Sequence, residues 1–331
     1  MEAAYPRSDG YFLVWRQSLD LRRQAPNLFG LALDPALQPA LSVELTTTPV
    51  PRGVGTAERD GQTTIVLCGV DGPEVVSIDR ELRAAKVPSD PDIGCTGTDP
   101  AVAVLDDGAQ LAAWVAGSGT RAGPVSLETL GGERPASEVI YERGSLTTPP
   151  TWSVSDRDAL LVVGVSVEED DTSLALRHID GRGATTDPQL VSPVFDQGFA
   201  EAVVVPQSDG HLIVAALRET GLVHIRVRDR SFEEPSMLVA DGRHRDLTLI
   251  EQRDRLVLAS SRCDAGECRL YIAELDHDGE LGSERVLEFA EDEVFLEEPA
   301  IVERQGRLTL FYRASLESRE NRIRVRDLRC P

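Results

Sequence analysis

The sequence predicts an all-β protein, a seven-bladed β-propeller built from four-stranded antiparallel blades. Three observations predict this fold. A hairpin signature recurs along the 331-residue chain at roughly fifty-residue intervals, a segment that alternates apolar and polar residues follows most of these hairpins, and a shorter run closes each unit. Four strands per unit, with the first two the most apolar, are typical of a propeller blade.

The hairpin signature consists of an apolar run, a two-residue turn and a second apolar run. Aspartate and glycine dominate the turns because both accept the positive φ of tight hairpin turns. The second turn residues of the seven units are Gly10, Gly61, Gly108, Asp158, Gly210, Asp254 and Gly306. Their regular spacing indicates an internal repeat that extends over the whole chain.

Third and fourth strands are predicted behind the hairpins. The third runs alternate, as a strand with one exposed face should, and they span residues 124–130, 173–179, 222–227, 269–275 and 322–326. Shorter fourth runs cover residues 137–141 and 285–289. These runs complete the four-stranded unit in all repeats except the last.

We predict a single propeller domain over residues 1–331. Its blades lie near residues 1–50, 51–98, 99–147, 148–196, 197–243, 244–295 and 296–331. The last unit lacks a fourth run, so we expect the last blade to be short of its outer strand. An upstream segment that completes this blade is one expected partner, because propellers commonly protect their sheet edges.

The charge balance excludes several partners. The chain carries 34 Lys and Arg against 56 Asp and Glu, a formal net charge of −22. Such a charge repels phosphate, so we expect no binding to nucleic acid. No apolar run of about 18 residues is present, which argues against direct insertion into a membrane. The N-terminal residues do not resemble a signal peptide, and a signal or anchor is expected only outside this sequence.

The cysteines predict disulfides and hence an extracytoplasmic protein, whether periplasmic, secreted or on a surface. Cys263 and Cys268 are separated by four residues that include a glycine, a spacing that suits a bridged hairpin. Free thiols or a metal site are the alternatives for this pair. Cys68 and Cys95 are a second candidate pair, between adjacent blades, and the pairing of Cys330 is left open.

Arginines and acids form two columns along the repeats. An arginine ends the second strand of four units, at Arg16, Arg218, Arg262 and Arg313, and an acid begins the first strand of the same units, at Glu2, Glu201, Asp246 and Glu298. A ring of arginines is suited to bind a carboxylate or sulfate. The alternative is that each acid faces the arginine of its own hairpin.

The third unit departs from this pattern. Asp99 is present, but Trp114 and Val115 occupy the place of the arginine. An acid without its expected partner, next to a tryptophan, is a candidate sugar-facing or catalytic carboxylate. The alternative for Asp99, which precedes Pro100, is that it caps a turn.

Two segments resemble blades of the sialidase-like and related glycosidase-like propellers. They are residues 98–108 with 111–114, and residues 298–302 with 306–312. The resemblance implies a shared propeller scaffold. No segment matches the SxDxGxTW box of sialidases, and their nucleophilic tyrosine and three arginines have no counterparts identifiable by motif.

No cofactor or metal site is predicted. The five histidines are scattered, without metal-ligand spacing between any two. The Gly-Ser-Gly segment at 117–119 lacks the sequence context of a phosphate-binding loop, and no GxSxG nucleophile motif is present.

The function hypothesis is a non-catalytic, extracytoplasmic propeller that binds a protein or glycan through one face of the ring. Its candidate ligand residues are Asp99, Trp114, Arg16, Arg218, Arg262 and Arg313. One alternative is a glycoside-processing enzyme, sialidase-like or other, with Asp99 and Glu201 as its carboxylates. Another alternative is a sensor or assembly domain of a longer polypeptide.

Overall fold

The computed structural model describes most of the chain. The residues outside the description are 1–2, 18–26, 46–52, 70–71, 88–98, 106–107, 119–120, 131–135, 146–147, 156–158, 167–171, 180–185, 265–266, 289–292, 318–319 and 329–331. The described chain contains strands, turns and bends but no helix. It therefore has no helix that is long and apolar enough to cross a membrane.

The chain divides into two compact units, which are described separately. The four-sheet unit is Arg7–Pro193, and the three-sheet unit is Val194–Pro331 with Ala3–Pro6. Every sheet is an antiparallel meander in which strands adjacent in sequence pair, apart from one added strand in the fifth sheet. The seven-bladed, all-β fold class predicted from the sequence is therefore confirmed, whereas the prediction of a single domain stays a prediction.

The first four sheets have four strands each. The strands of the first sheet are β1 (Ala3–Arg7), β2 (Gly10–Gln17), β3 (Asn27–Leu33) and β4 (Pro39–Glu44). Those of the second are β5 (Gly53–Arg59), β6 (Gln62–Gly69), β7 (Gly72–Ile78) and β8 (Ala84–Val87). Those of the third are β9 (Ala101–Val104), β10 (Gln110–Ser118), β11 (Arg121–Leu130) and β12 (Ala136–Tyr141). Those of the fourth are β13 (Thr151–Val154), β14 (Ala159–Ser166), β15 (Thr172–Ile179) and β16 (Gln189–Val191).

The last three sheets differ in strand number. The fifth contains β17 (Phe199–Gln207), β18 (Gly210–Leu217), β19 (Leu222–Arg228), β20 (Ser231–Phe232) and β21 (Ser236–Val239), the last two both pairing with β19. The sixth contains β22 (Arg243–Gln252), β23 (Arg255–Asp264), β24 (Glu267–Leu275) and β25 (Leu281–Val286). The seventh contains β26 (Glu293–Arg304), β27 (Arg307–Leu316) and β28 (Asn321–Leu328). Within the described residues the seventh sheet has three strands, as the sequence predicts.

The second strand of each hairpin forms the core because both of its faces are covered. In β14 seven of the eight residues are buried, and β18 is buried from His211 to Leu217. Strands covered on both faces are continuously apolar rather than alternating. In the three-sheet unit, one cluster joins Leu212 and Val214 of the fifth sheet to Leu258 and Tyr271 of the sixth, so neighbouring sheets pack face to face.

Predicted hairpin turns have the expected backbone. Asp60 and Gly61 have φ values of 54° and 79°, and Gln305 and Gly306 have 53° and 79°. Positive φ at both central residues defines the type I′ turn, whose twist matches that of the flanking strands. The turn residues predicted from the sequence, Asp60-Gly61 and Gln305-Gly306, therefore identify these two hairpins correctly.

The predicted bridge between Cys263 and Cys268 is present. It joins directly opposed residues of β23 and β24, with Cα atoms 4.1 Å apart. Cys68 is also disulfide-bonded. No described cysteine is left to pair with Cys68, because Cys263 and Cys268 bind each other. Cys95, the partner predicted from the sequence, lies outside the described residues.

Removal of the hairpin bridge should destabilise the three-sheet unit moderately. For the Cys263→Ser, Cys268→Ser double variant we expect a loss of about 2 kcal/mol, because the bridge closes a short loop and so restricts the unfolded chain only modestly. Urea unfolding in the absence of reductant measures this loss. In dithiothreitol, which also reduces the bridge of Cys68, wild type and variant should be equally stable. Equal stability of the two proteins without reductant would contradict the expectation.

Candidate functional site

An acid lies at a β-bulge in the first strand of each sheet of the three-sheet unit. The bulges fall between Phe199 and Glu201 in β17, between Arg245 and Thr248 in β22, and between Glu297 and Ala300 in β26. A bulge inserts an extra residue, bends the strand and redirects its side chains. The side chains of these acids therefore point in directions that a regular antiparallel strand pairing would not give them.

Two of these bulges have an acid in the left-handed region of backbone conformation. Asp246 has a φ of 53° and Glu298 a φ of 52°. A non-glycine residue in this region costs on the order of 1 kcal/mol or more, and such residues persist where surrounding contacts hold them. The backbone N–H group of Asp246 and that of Glu298 each donate to a carboxylate of the preceding sheet.

Glu201 links the fifth sheet to the sixth. Its two carboxylate oxygens accept hydrogen bonds from the backbone N–H groups of Asp246 (2.6 Å) and Leu247 (2.8 Å). Burial, assisted by the negative charge of Asp246, raises the pKa of Glu201 to about 7, although the two N–H donors and Arg245 act in the opposite direction.

Asp246 makes the equivalent link between the sixth and seventh sheets. Its Oδ2 accepts a hydrogen bond from the hydroxyl of the buried Ser261 (2.6 Å) and a longer one from the backbone N–H of Glu298 (3.3 Å). The same N–H of Glu298 also donates to Ser261 Oγ (3.1 Å). Each of these acids thus satisfies a backbone donor at the next bulge.

Two arginines neutralise the acids of the seventh sheet. Arg313 Nη2 lies 2.6 Å from Glu297 Oε2, and Arg313 Nη1 lies 3.0 Å from Glu298 Oε1. Arg245 also donates to Glu297, whose side chain is only 13% exposed. We call Glu201, Asp246, Glu297 and Glu298 the carboxylate network.

Among the three acids that lie in the described residues, the expectation that each acid faces its own arginine holds for Glu298 and Arg313. It is wrong for Glu201, which binds the backbone of β22, and for Asp246, which binds Ser261. Arg262 is instead paired with Asp241 (2.8 Å) and Asp264 (3.2 Å).

The remaining members of the two columns are placed as follows. Arg218 is exposed just beyond β18, and its backbone N–H donates to Gly198 O (2.9 Å). Glu2 lies outside the described residues. Sequence reasoning missed Arg245 and Glu297, although each immediately precedes a predicted acid in the sequence.

In the four-sheet unit, Asp99 does have an arginine nearby. Its Oδ1 lies 4.0 Å from Arg16 Nη2 and accepts a hydrogen bond from the backbone N–H of Val54 (3.0 Å). The prediction that Asp99 lacks a partner is therefore corrected. Asp99 and Glu201 belong to different compact units, so their role as a catalytic pair stays a prediction.

Trp114 is placed in the core of the four-sheet unit. Its side chain is 0% exposed and packs in a cluster with Val66, Val75, Val102 and Leu130. A ring in this position cannot stack on a sugar without rearrangement of the core. Its indole Nε1–H finds no hydrogen-bond partner among the described residues.

A cleft of about 290 Å³ lies beside the disulfide hairpin. It is lined by Arg262, Asp264, Glu267, Arg269 and Val286. Both charge signs are represented, and Arg269 Nη2 lies 3.1 Å from Glu267 Oε2. The cleft therefore offers charged donors and acceptors to a polar ligand. In the described part of the chain no group of His, Cys, Asp and Glu is arranged to hold a metal ion.

The pKa of Glu201 gives a pH-dependent prediction. Because this pKa is raised from 4.5 to about 7, the folded protein binds more protons than the unfolded chain between these values. The contribution of Glu201 to the free energy of unfolding therefore falls as the pH rises through this window. Glutamine does not titrate, so the stability of Glu201→Gln relative to wild type should rise by about 2 kcal/mol from pH 5 to pH 8.

Urea unfolding of both proteins at several pH values measures this difference. Glu219→Gln, at an exposed glutamate of the same unit, controls for the change of one unit in net charge. A stability difference between Glu201→Gln and wild type that stays constant from pH 5 to pH 8 would contradict the raised pKa.

Comparisons with known proteins identify the scaffold. No protein-family model and no curated protein sequence matches the chain. Among solved structures, Pseudomonas brassicacearum lignostilbene dioxygenase has a TM-score of 0.64 at 9% identity, over 98% of this chain and 88% of that chain. The polysaccharide lyase Uly1 has a TM-score of 0.61 at 9% identity, over 99% of this chain and 90% of that chain.

A third similar structure comes from a study of two prolyl endopeptidases. It has a TM-score of 0.53 at 12% identity and covers 98% of this chain and 50% of that chain. At such identities the likeness shows the fold alone, and the three structures carry three different chemistries. The resemblance noted in the sequence thus holds for the propeller scaffold, and sialidase in particular gains no support.

Proposed function

We propose that the chain is a non-catalytic, extracytoplasmic propeller that binds a protein or glycan through one face. The observation that carries this proposal is that each member of the carboxylate network accepts hydrogen bonds or forms an ion pair within the protein. Glu201 accepts two backbone N–H bonds, Asp246 is bound by Ser261, and Arg313 holds Glu297 and Glu298. Carboxylates held in this way support the structure and are poorly placed to act as a nucleophile or base.

The cleft at Arg262 and Arg269 is the surface to which we assign the ligand. Guanidinium groups beside carboxylates provide directional donors and acceptors, the contacts that orient a polar ligand such as a glycan or a peptide. Arg262 is one of the ligand candidates from the sequence, and Arg269, opposite it on β24, lines the same cleft.

The disulfides support the proposed compartment. Cys263–Cys268 and the bridge of Cys68 are the kind of crosslink that persists outside the reducing cytoplasm. Expression in an oxidising and in a reducing compartment, followed by thiol titration, tests this part of the proposal.

A glycan array, run beside a pull-down and followed by titration of each hit, tests the binding function. We expect Arg269→Ala to weaken binding at least tenfold, because it removes a charged donor of the cleft. The control is Arg285→Ala, which removes an exposed arginine on β25. Equal losses in both variants would place the ligand elsewhere, and chemical turnover of a bound glycan would overturn the non-catalytic assignment.

A glycoside-processing enzyme is the second candidate, and one observation favours it. The pKa of Glu201 is raised to about 7, close to the value that suits a general acid at neutral pH, and the acidic Asp246 is adjacent. A polysaccharide lyase also shares the scaffold. For this candidate, Glu201→Gln should abolish glycan cleavage while the protein remains folded, and a lack of cleavage of any array glycan by wild type rejects it.

A further inference from the structure

Within the described residues, strand β28 is the last strand of the seventh sheet and pairs along one edge only. All eight of its residues pair with β27, from Asn321 opposite Ser315 to Leu328 opposite Leu308. No described strand pairs with its far edge, the edge that faces away from β27. The residues from Asn321 to Asp327 are exposed or partly exposed. The far edge therefore presents a row of backbone donors and acceptors to an incoming strand.

In other sheets a fourth strand occupies this position and contributes a complementary side chain to the third strand. The pairs are Glu44 of β4 with Asn27 of β3 (2.5 Å), Lys86 of β8 with Glu74 of β7 (2.7 Å), and Glu284 of β25 with Tyr271 of β24 (2.5 Å). A fourth strand is thus matched to its third strand by backbone pairing and also by side-chain chemistry.

The side chains of β28 define what would match it. Alternation places Arg322, Arg324 and Arg326 on one face of the strand. Ile323 and Val325 lie on the other face, and each is 39% exposed. Arg322 and Arg324 already contact Glu320 and Glu293, but a guanidinium has five N–H donors and can bind a second carboxylate.

We propose that the far edge of β28 binds an extended segment of another polypeptide in which acidic residues alternate with apolar ones. Backbone hydrogen bonds to the edge supply affinity, as in other cases of β-strand addition. Acids of the segment lie opposite the arginines, and its apolar residues cover Ile323 and Val325. In a chain with a net charge of −22, this arginine face is a local exception that selects an acidic partner.

A second copy of the chain fits this edge poorly. Antiparallel pairing of two β28 strands about a two-fold axis keeps the arginine faces on the same side, so arginines would lie opposite arginines. Like charges directly opposed across a strand pair are destabilising. The site shares no residue with the cleft of the proposed function, so the two proposals stand independently.

The test uses a capped, fluorescently labelled ten-residue peptide of alternating Glu and Val, with a Lys and Val peptide as comparator. We expect the acidic peptide to bind in fluorescence polarisation and to slow hydrogen exchange at β28 amides, with at least tenfold weaker binding of the basic peptide. Equal binding of both peptides, or acidic-peptide binding without protection of β28, would overturn the proposal.

Paired variants locate the contact. Arg322→Glu with Arg326→Glu should weaken acidic-peptide binding at least tenfold, whereas Arg285→Glu on β25 should leave it unchanged. Val325→Lys is likewise matched by Val139→Lys on β12, which replaces an exposed valine (59%) of the four-sheet unit. Thermal unfolding confirms that each variant is folded. A dimer of the wild-type chain that Val325→Lys dissociates would assign the edge to a second copy and overturn the proposal.

Discussion

Gly55→Ala should destabilise the four-sheet unit by about 3 kcal/mol, the upper end of the usual cost of overpacking. A Cβ atom added at Gly55 would lie 1.9 Å from Pro100 O and 2.7 Å from Pro100 C, and both are backbone atoms that cannot rotate away. The backbone of Pro100 cannot easily move away from Gly55, because the adjacent residues are hydrogen-bonded. The N–H of Val54, next to Gly55, donates to the carboxylate of Asp99, next to Pro100. Thermal and urea unfolding measure the loss.

Gly282→Ala is the matched control for this substitution. Gly282 is also a strand glycine, but a Cβ there would meet only Glu274 O at 3.4 Å, an ordinary contact. We expect its effect on stability to be about 0.5 kcal/mol or less. If Gly55→Ala were as mild as Gly282→Ala, the close packing of β5 against the start of β9 would be refuted.

Trp114→Ala should be the most destabilising single truncation among the ligand candidates, at about 4 kcal/mol. The ring is fully buried, so its removal both loses the transfer free energy and leaves a cavity among Val66, Val75, Val102 and Leu130. Urea unfolding followed by tyrosine and tryptophan fluorescence measures the change.

Trp114→Phe separates packing from hydrogen bonding. Phenylalanine keeps most of the ring volume and removes an indole N–H that has no partner in the described structure, so we expect a loss of only about 1 kcal/mol. A Trp114→Ala variant of wild-type stability that fails to bind a glycan would instead restore the ligand-stacking role that the sequence suggested.

Much of the fold was predictable because its determinants are local. The turn at Asp60 and Gly61 requires positive φ at two adjacent positions. Asp-Gly is a residue pair that accepts positive φ at both, so the sequence predicts the turn directly. The uniform apolar character of β14 reports its burial on both faces. Repetition of these local signals gave the number of sheets and the short seventh one.

The partners of the acids were not predictable because they depend on bulges. Glu201 follows a register shift in β17, so it is opposite Ala216 and binds the backbone of β22 rather than an arginine of its own hairpin. Asp246 and Glu298, which lie in the bulges, are non-glycine residues at positive φ, and no residue pattern in the sequence predicts this conformation. Contacts between sheets, such as Arg16 with Asp99, join residues too distant in sequence for a repeat pattern to reveal.

The links made by Glu201 and Asp246 run in one direction along the chain, each from one sheet to the amides of the sheet that follows. Such an arrangement couples nearest neighbours in series, so opening of the sixth sheet removes support on both sides, while loss of the seventh leaves the Glu201 link intact. The amides of Asp246, Leu247 and Glu298 are consequently built-in reporters. Their exchange with solvent records the separation of neighbouring sheets rather than the fraying of any one strand.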